Sequence, residues 1–498
     1  MNQYLVAFII ICYFGLLIFI SRITSKNADN SSFFNGNRKA PWYVIAFGMI
    51  GSSLSGVTFI ALPGWVGNSH FYYFQLVIGY FIGYIIIANI LLPLYYKLNL
   101  TSIYTYLEQR FGDTSYKTGA VFFLISRTLG SALRLFIVAR VLQIAFFDYF
   151  NIPFVFTAIA TVLLIWVYTN KGGLKTIIWT DTLQTFFLIA AVIFTIITIA
   201  KEIDFGGLSM IQAISNSEYS TIINTDWNSK FHFLKQIVSG MLITIVMTGL
   251  DQDMMQKNLS CRNLKDAKKN MYWYASGYLV VNLVFLALGA LLYMYINQIG
   301  LDMFAQSDFG YNAETQSYVN TDDLYPFLAM NNFGVVTGIV FLIGIIAAAF
   351  SSADSALAAL TTSFTIDIIG IKNKTEQEIK KQRQKSHILF SGILAIVIIA
   401  FHMLNDNTVI DAIFTIASYT YGPILGMYAF GLSTTRAIKD SYMLPIAIAS
   451  PCVCLAISFA SAKLFHYSFG YEILLLNGLL TYAGMLLISS KQIQLNKQ

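Results

Sequence analysis

Three hydroxyls and a carboxylate stand at Ser351, Ser352, Asp354 and Ser355, inside an apolar run from Val335 to Ala359. On a helix, Ala348, Ser351, Ser352 and Ser355 follow i, i+3, i+4, i+7 spacing and share one face, with Asp354 at its border. Serines alone could simply bond back to the preceding turn and pack against a neighbour. An aspartate cannot be read so blandly: an ionised side chain at mid-membrane costs on the order of 2.5–3.5 kcal/mol and normally faces a partner or a water-filled path. A second carboxylate, Asp181, lies in the first turns of another apolar run, where a helix terminus alone could also favour it. Carboxylates, hydroxyls and freed backbone carbonyls suit a hard cation such as Na⁺, and proton binding at Asp354 is the competing chemistry.

Two polar interruptions could supply the freed carbonyls. Gly51-Ser52-Ser53-Leu54-Ser55-Gly56 breaks one apolar run, and Thr248-Gly249-Leu250-Asp251-Gln252-Asp253 ends another, five runs later. Broken helices at corresponding places suggest an inverted five-helix repeat with a binding site near the midplane, since irregular backbone is tolerated at depth only where it lines a cavity or is buried in protein. Arg127, Arg134 and Arg140 stud one run, and the first two share a helical face. An arginine at that depth suggests an anionic substrate, or an ion pair with Asp181, Asp251 or Asp253.

The elements that must position these residues are membrane spans. The chain has 498 residues, 56% hydrophobic and only 11% charged, with mean hydropathy +0.64, whereas soluble domains are about a quarter charged. Runs of spanning length occur near 2–21, 42–69, 72–95, 116–147, 153–169, 177–200, 232–250, 271–297, 332–368, 386–403, 408–432, 441–462 and 470–489, which predicts an all-α polytopic protein of about thirteen transmembrane helices. The first run has neither a basic leader nor a small-residue cleavage site and reads as a retained span. Most of the 31 basic residues fall in alternate loops, among them Lys257, Arg262, Lys372, Lys374 and Arg436. The positive-inside rule then puts the N-terminus outside and the C-terminus in the cytoplasm, in the cell (inner) membrane.

Topology accounts for the net charge of +6 without a nucleic-acid partner, and no obligate protein partner is evident. Four cysteines show neither metal-ligand nor redox spacing. Asp181 and Asp354 lack a recognisable catalytic motif, so an enzyme is not expected. A membrane sensor is disfavoured because no soluble output module is present. The loops 201–231 and 298–331 are outer lids or plain connectors.

Taken in order, several segments resemble the sodium/solute symporter family, which includes sodium-coupled sugar, proline and sialic acid transporters. They are Gly51 to Phe59, Trp179-Thr180-Asp181-Thr182-Leu183-Gln184, Asp251-Gln252-Asp253-Met254-Met255-Gln256-Lys257 continuing to Ala267, Ala348 to Ser355 with Thr365-Ile366-Asp367-Ile368, and Tyr421-Gly422-Pro423-Ile424-Leu425-Gly426. The resemblance implies a single transporter domain with a LeuT-like core of two inverted repeats, at 42–200 and 232–432. One peripheral helix (2–21) precedes the core and two (441–489) follow it. It implies a main sodium site from the carbonyls of Gly51, Leu54 and Ala348 and the hydroxyls of Ser351 and Ser352. A second sodium, found in some members, maps to Asp181, Ser351, Asp354 and Ser355, although those members carry serine where this chain has Asp354. Substrate contacts map to Ser53, Ser55 and Thr58, with Arg134 and Asp251 nearby. Outer-gate positions, aromatic in relatives, map to Tyr73, Phe74, Gln75 and Phe414. The implied activity is Na⁺-coupled symport of a small polar solute across the lipid bilayer, an organic acid or sialic acid-like compound, with a sugar as the alternative.

Overall fold

The computed structural model describes residues 3–490 apart from 27, 228, 300–310, 313–316, 319–320, 405–408, 466 and 468. Apart from loops, the described chain is helical but for two short antiparallel strand pairings. Its principal helices are α1 (Gln3–Thr24), α2 (Trp42–Ser53), α3 (Gly56–Ser69), α4 (Tyr73–Ile86), α5 (Asp113–Leu142), α6 (Phe154–Thr169), α7 (Leu174–Glu202) and α8 (Phe233–Thr244). They continue with α9 (Gln252–Asn258), α10 (Leu264–Ile299), α11 (Gly334–Ser363), α12 (Glu376–Leu404), α13 (Val409–Thr420), α14 (Gly422–Ser433), α15 (Met443–Phe465) and α16 (Ile473–Leu487).

Each of the thirteen apolar runs falls on helix, but thirteen crossings are not thereby established. Among the described residues eight helices are long and apolar enough to cross a membrane, or nine if the bent α8–α9 pair is one span. The shortfall has a physical reason: Trp42–Ser53, Phe154–Thr169 and Ile473–Leu487 are apolar but short, and the first of them stops where the Gly-Ser segment interrupts it.

Both interruptions are true breaks. At the first, Leu54 caps α2 by donating to the Ile50 carbonyl at 3.0 Å, and the Phe59 amide starts α3 by donating to Ser55 at 3.1 Å. Between them Ser55 leaves helical geometry, with φ −5° and ψ 163°. The carbonyls of Gly51 and Leu54 accept no hydrogen bond among the described residues. At the second, α8 loosens through Ile245–Gly249 and the chain bends by 70° into α9. The Asp251 side chain caps the new helix, accepting from the amides of Asp253 at 2.9 Å and Met254 at 3.3 Å.

α11 is the axle of the fold. Every residue from Gly344 to Ser363 is buried, and the helix packs on α7, α5, α12, α3 and α2. Small residues let these helices approach closely, which compensates for the absence of a hydrophobic driving force between helices in lipid. Gly51 is such a position: a Cβ there would stand 2.1 Å from Thr185 Oγ1 on α7. The two halves meet reciprocally where α4 crosses α8, since a Cβ on Gly79 would lie 2.2 Å from the Ile237 carbonyl and one on Gly240 2.2 Å from that of Leu76.

Candidate functional site

The unwound segment between α2 and α3 faces the middle of α11, with α5, α7 and α9 closing around it. Two adjoining centres result, one built on carboxylates and one on a cavity.

The carboxylate centre joins α7 to α11. Ser351 Oγ donates to Asp181 Oδ1 at 2.7 Å, and Ser355 Oγ lies 3.3 Å from Asp181 Oδ2 and 3.3 Å from Asp354 Oδ1. Tyr168 on α6 donates its hydroxyl to Asp354 Oδ2 at 2.9 Å. The four positions expected around a second cation, Asp181, Ser351, Asp354 and Ser355, are therefore brought together, and all are buried. One group there was not expected. Lys257 Nζ lies 2.8 Å from Asp181 Oδ2 and 2.8 Å from Ser52 Oγ. Counting Lys257 with the cytoplasmic loop charges is corrected by its 1% exposure. Its location in α9, close after the buried Asp253, was the available signal, because a lysine at such depth needs a carboxylate partner.

Next to this centre lie the proposed ligands of the main cation. The Ser351 proton is committed to Asp181, which leaves that oxygen's lone pairs free. Ser352 is 1% exposed, and among the described residues the one side-chain hydrogen bond its Oγ accepts comes from Arg134 Nη1, at 3.4 Å. Together with the vacant carbonyls of Gly51 and Leu54, this donor set is all oxygen and fits a hard monovalent cation. Among the described residues no three His, Cys, Asp or Glu side chains cluster as a transition metal would require.

The cavity, of about 100 Å³, is lined by Ser53, Ser55, Thr58, Arg127, Arg134 and a wall of tyrosines that includes Tyr73 and Tyr274. It has room for several waters or a small solute. Ser53 Oγ is 2.7 Å from Tyr274 Oη, which is 2.7 Å from Tyr84 Oη, so the wall presents a connected chain of hydroxyls.

The two arginines are used differently. Arg127 is buried and paired with Asp253, with Asp251 3.8 Å away. Arg134, two turns on, has no carboxylate partner among the described residues and contacts Ser352 alone. Asp251 does not reach the cavity wall: it caps α9, accepts from Tyr421 Oη and faces Arg127. Of the outer-gate candidates, Tyr73 lines the cavity, whereas Gln75 is bonded into the adjoining loop through the carbonyls of Tyr72 and Phe231 at 3.1 and 3.0 Å. Phe74 packs against the core away from the cavity, and the side chain of Phe414 lies outside the described residues.

Two broken helices beside an oxygen-lined site fit a secondary transporter with a LeuT-like fold. The sequence agrees: the family described as the Sodium:solute symporter family matches residues 33–444. The chain belongs to that family, and sodium is its coupling ion. It is 25% identical over 453 residues to the sodium/sialic acid symporter of Aliivibrio fischeri, covering 89% of this chain and 85% of the relative. It is also 25% identical over 412 residues to the sodium-coupled monocarboxylate transporter 1 of Mus musculus, covering 81% and 64%. The solved structure of a substrate-bound, outward-open Na⁺-coupled sialic acid symporter superposes with a TM-score of 0.81 at 19% identity, covering 97% of this chain and 98% of that one.

Proposed function

We propose that the solute is a small organic anion and that Arg134 receives its acidic group. The carrying observation is the contrast between the two arginines: one is neutralised by aspartates, while the other lines the cavity with no ion-pair partner among the described residues. A guanidinium presents a planar fork matched to a carboxylate, and Ser53, Ser55 and Thr58 add hydroxyls for orientation. The named relatives support the same chemistry, since sialic acid and monocarboxylates are both carboxylates.

In this reading Na⁺ is held by the carbonyls of Gly51, Leu54 and Ala348 and the hydroxyls of Ser351 and Ser352. A bound Na⁺ supplies the charge that ties the unwound segment to α11. That tie favours the conformation in which Ser53, Ser55 and Thr58 are correctly placed, so ion and solute promote each other's binding reciprocally. Alternating access then follows from movement of the two repeats, 42–200 and 232–432, against each other. The protein acts without covalent chemistry, and its large apolar side chains exposed on the outer faces of α1, α6 and α7, such as Phe8, Phe156 and Phe186, suit contact with lipid. The basic-residue pattern supports an inner-membrane location with the N-terminus outside.

A thermal-shift screen of carboxylates and neutral sugars, each with and without Na⁺, tests the substrate class, because a bound ligand raises stability by mass action. Sodium-dependent shifts from acids are expected; stabilisation by sugars alone would support sugar symport instead. Ser352→Ala is expected to raise the half-saturating Na⁺ concentration about tenfold, the effect of losing about 1.4 kcal/mol of ligation, and an unchanged Na⁺ titration would remove Ser352 from the site. Asp354→Ser deletes a carboxylate near that ion. Its expected effect is a further loss of Na⁺ affinity of roughly tenfold, with transport retained at high Na⁺, and Na⁺ affinity equal to the parent's would reduce Asp354 to a packing role.

A further inference from the structure

The carboxylate centre holds a cation of its own. Lys257 Nζ sits 2.8 Å from Asp181 Oδ2, and the other carboxylate oxygen is occupied by Ser351 at 2.7 Å. An ion arriving at Asp181 would therefore compete with an ammonium that is already 2.8 Å away and tethered. The same ammonium bonds Ser52 at 2.8 Å, in the turn that precedes the break between α2 and α3. It thus links the unwound segment to α7, as an ion bound between them would.

The charge count agrees with this placement. In their ionised forms Asp181 and Asp354 put two negative charges in one buried cluster, and no second lysine or arginine ion-pairs with either among the described residues. Lys257 balances one of them. A single Na⁺ on Ser351 and Ser352, on the same helix and within a turn of Asp354, balances the other. A second Na⁺ would leave the cluster with surplus positive charge in a low-dielectric interior, which is costly. Asp354 is thereby explained: with Asp181 paired to Lys257, it is the carboxylate that offsets the Na⁺.

We propose that Lys257 serves as a built-in cation in the second cation position, so that this chain binds one Na⁺ per transport cycle. The inference rests on the main sodium site described above and concerns only the number of ions that join it. An immediate consequence is that symport of a singly charged anion moves no net charge.

The test is equilibrium binding of ²²Na⁺ to the purified full-length chain in lipid nanodiscs, with no solute present. The wild-type chain and Lys257→Arg should each bind one Na⁺ at saturation. Lys257→Met, or Lys257→Gln if the methionine variant is not recovered folded, leaves two carboxylates facing one ion and should bind two. Its melting temperature should also depend more steeply on Na⁺ concentration. The double variant Lys257→Met/Asp354→Asn should return to one. Two ions bound to the wild type, or one to Lys257→Met, would overturn the proposal while leaving sodium coupling intact. A wild-type chain that binds no Na⁺ would overturn the main site beneath it as well.

Discussion

Arg134→Gln is expected to abolish measurable solute binding at concentrations that saturate the parent, while leaving Na⁺-dependent stabilisation in place. Removing one partner of a desolvated, hydrogen-bonded charge pair costs about 2–5 kcal/mol, so even the lower figure weakens binding by about 30-fold. The geometry makes Arg134 the group exposed to that loss. It lines the cavity, has no aspartate to fall back on among the described residues, and reaches protein only through Ser352 at 3.4 Å. Glutamine keeps much of the volume and some hydrogen bonding, so a lost shift reports on charge rather than on collapse of the cavity. Arg134→Lys should fall between the two, because an ammonium retains attraction but not the two-pronged geometry. The measurement is the solute-induced thermal shift in saturating Na⁺, checked by uptake into proteoliposomes. If Arg134→Gln bound carboxylates as tightly as the parent, or if neutral sugars bound both equally, the anion reading would fail.

Much of this site was legible because the membrane makes polar residues conspicuous. Gly51 to Gly56 and Thr248 to Asp253 betrayed the breaks, spacing put Ser351 and Ser355 on one face with Asp354 at its border, and Asp181 was brought to them as the family resemblance implied. What stayed hidden was which charges pair across the repeats. Arg127 and Arg134 share a helical face, so sequence alone could not say that only the first meets Asp253. Asp251 looked available to a solute because the sequence marked the break but not the 70° bend between α8 and α9 that makes its side chain the cap of α9. Lys257 was miscounted for a related reason. Positive-inside reasoning assigns a lysine to the nearest loop, whereas α9 runs inward and carries it to Asp181.

The largest stability effect is expected at Arg127. This side chain is 5% exposed and, from α5, holds Asp253 in α9, with Asp251 beside it at 3.8 Å. Asp251 in turn accepts from Tyr421 at the junction of α13 and α14, and Thr420 Oγ1 donates back to Ser126 at 2.7 Å. The cluster thus clamps one helix of the first repeat to both the hinge and the far end of the second. Arg127→Met leaves Asp253 and Asp251 buried without a cation, for which about 3–5 kcal/mol of destabilisation is expected. For a chain of this size that corresponds to roughly 3–5 °C in melting temperature. Loss of the arginine alone cannot distinguish a clamp from general packing, so Asp253→Asn and the double variant complete a mutant cycle. The double variant should be more stable than the sum of the single losses predicts, by about 1–3 kcal/mol of coupling, since it removes the orphaned charge as well as its partner. Additive losses across the cycle would show that Arg127 and Asp253 contribute independently, and the hinge would then have to be held by the Asp251 cap and Tyr421 alone.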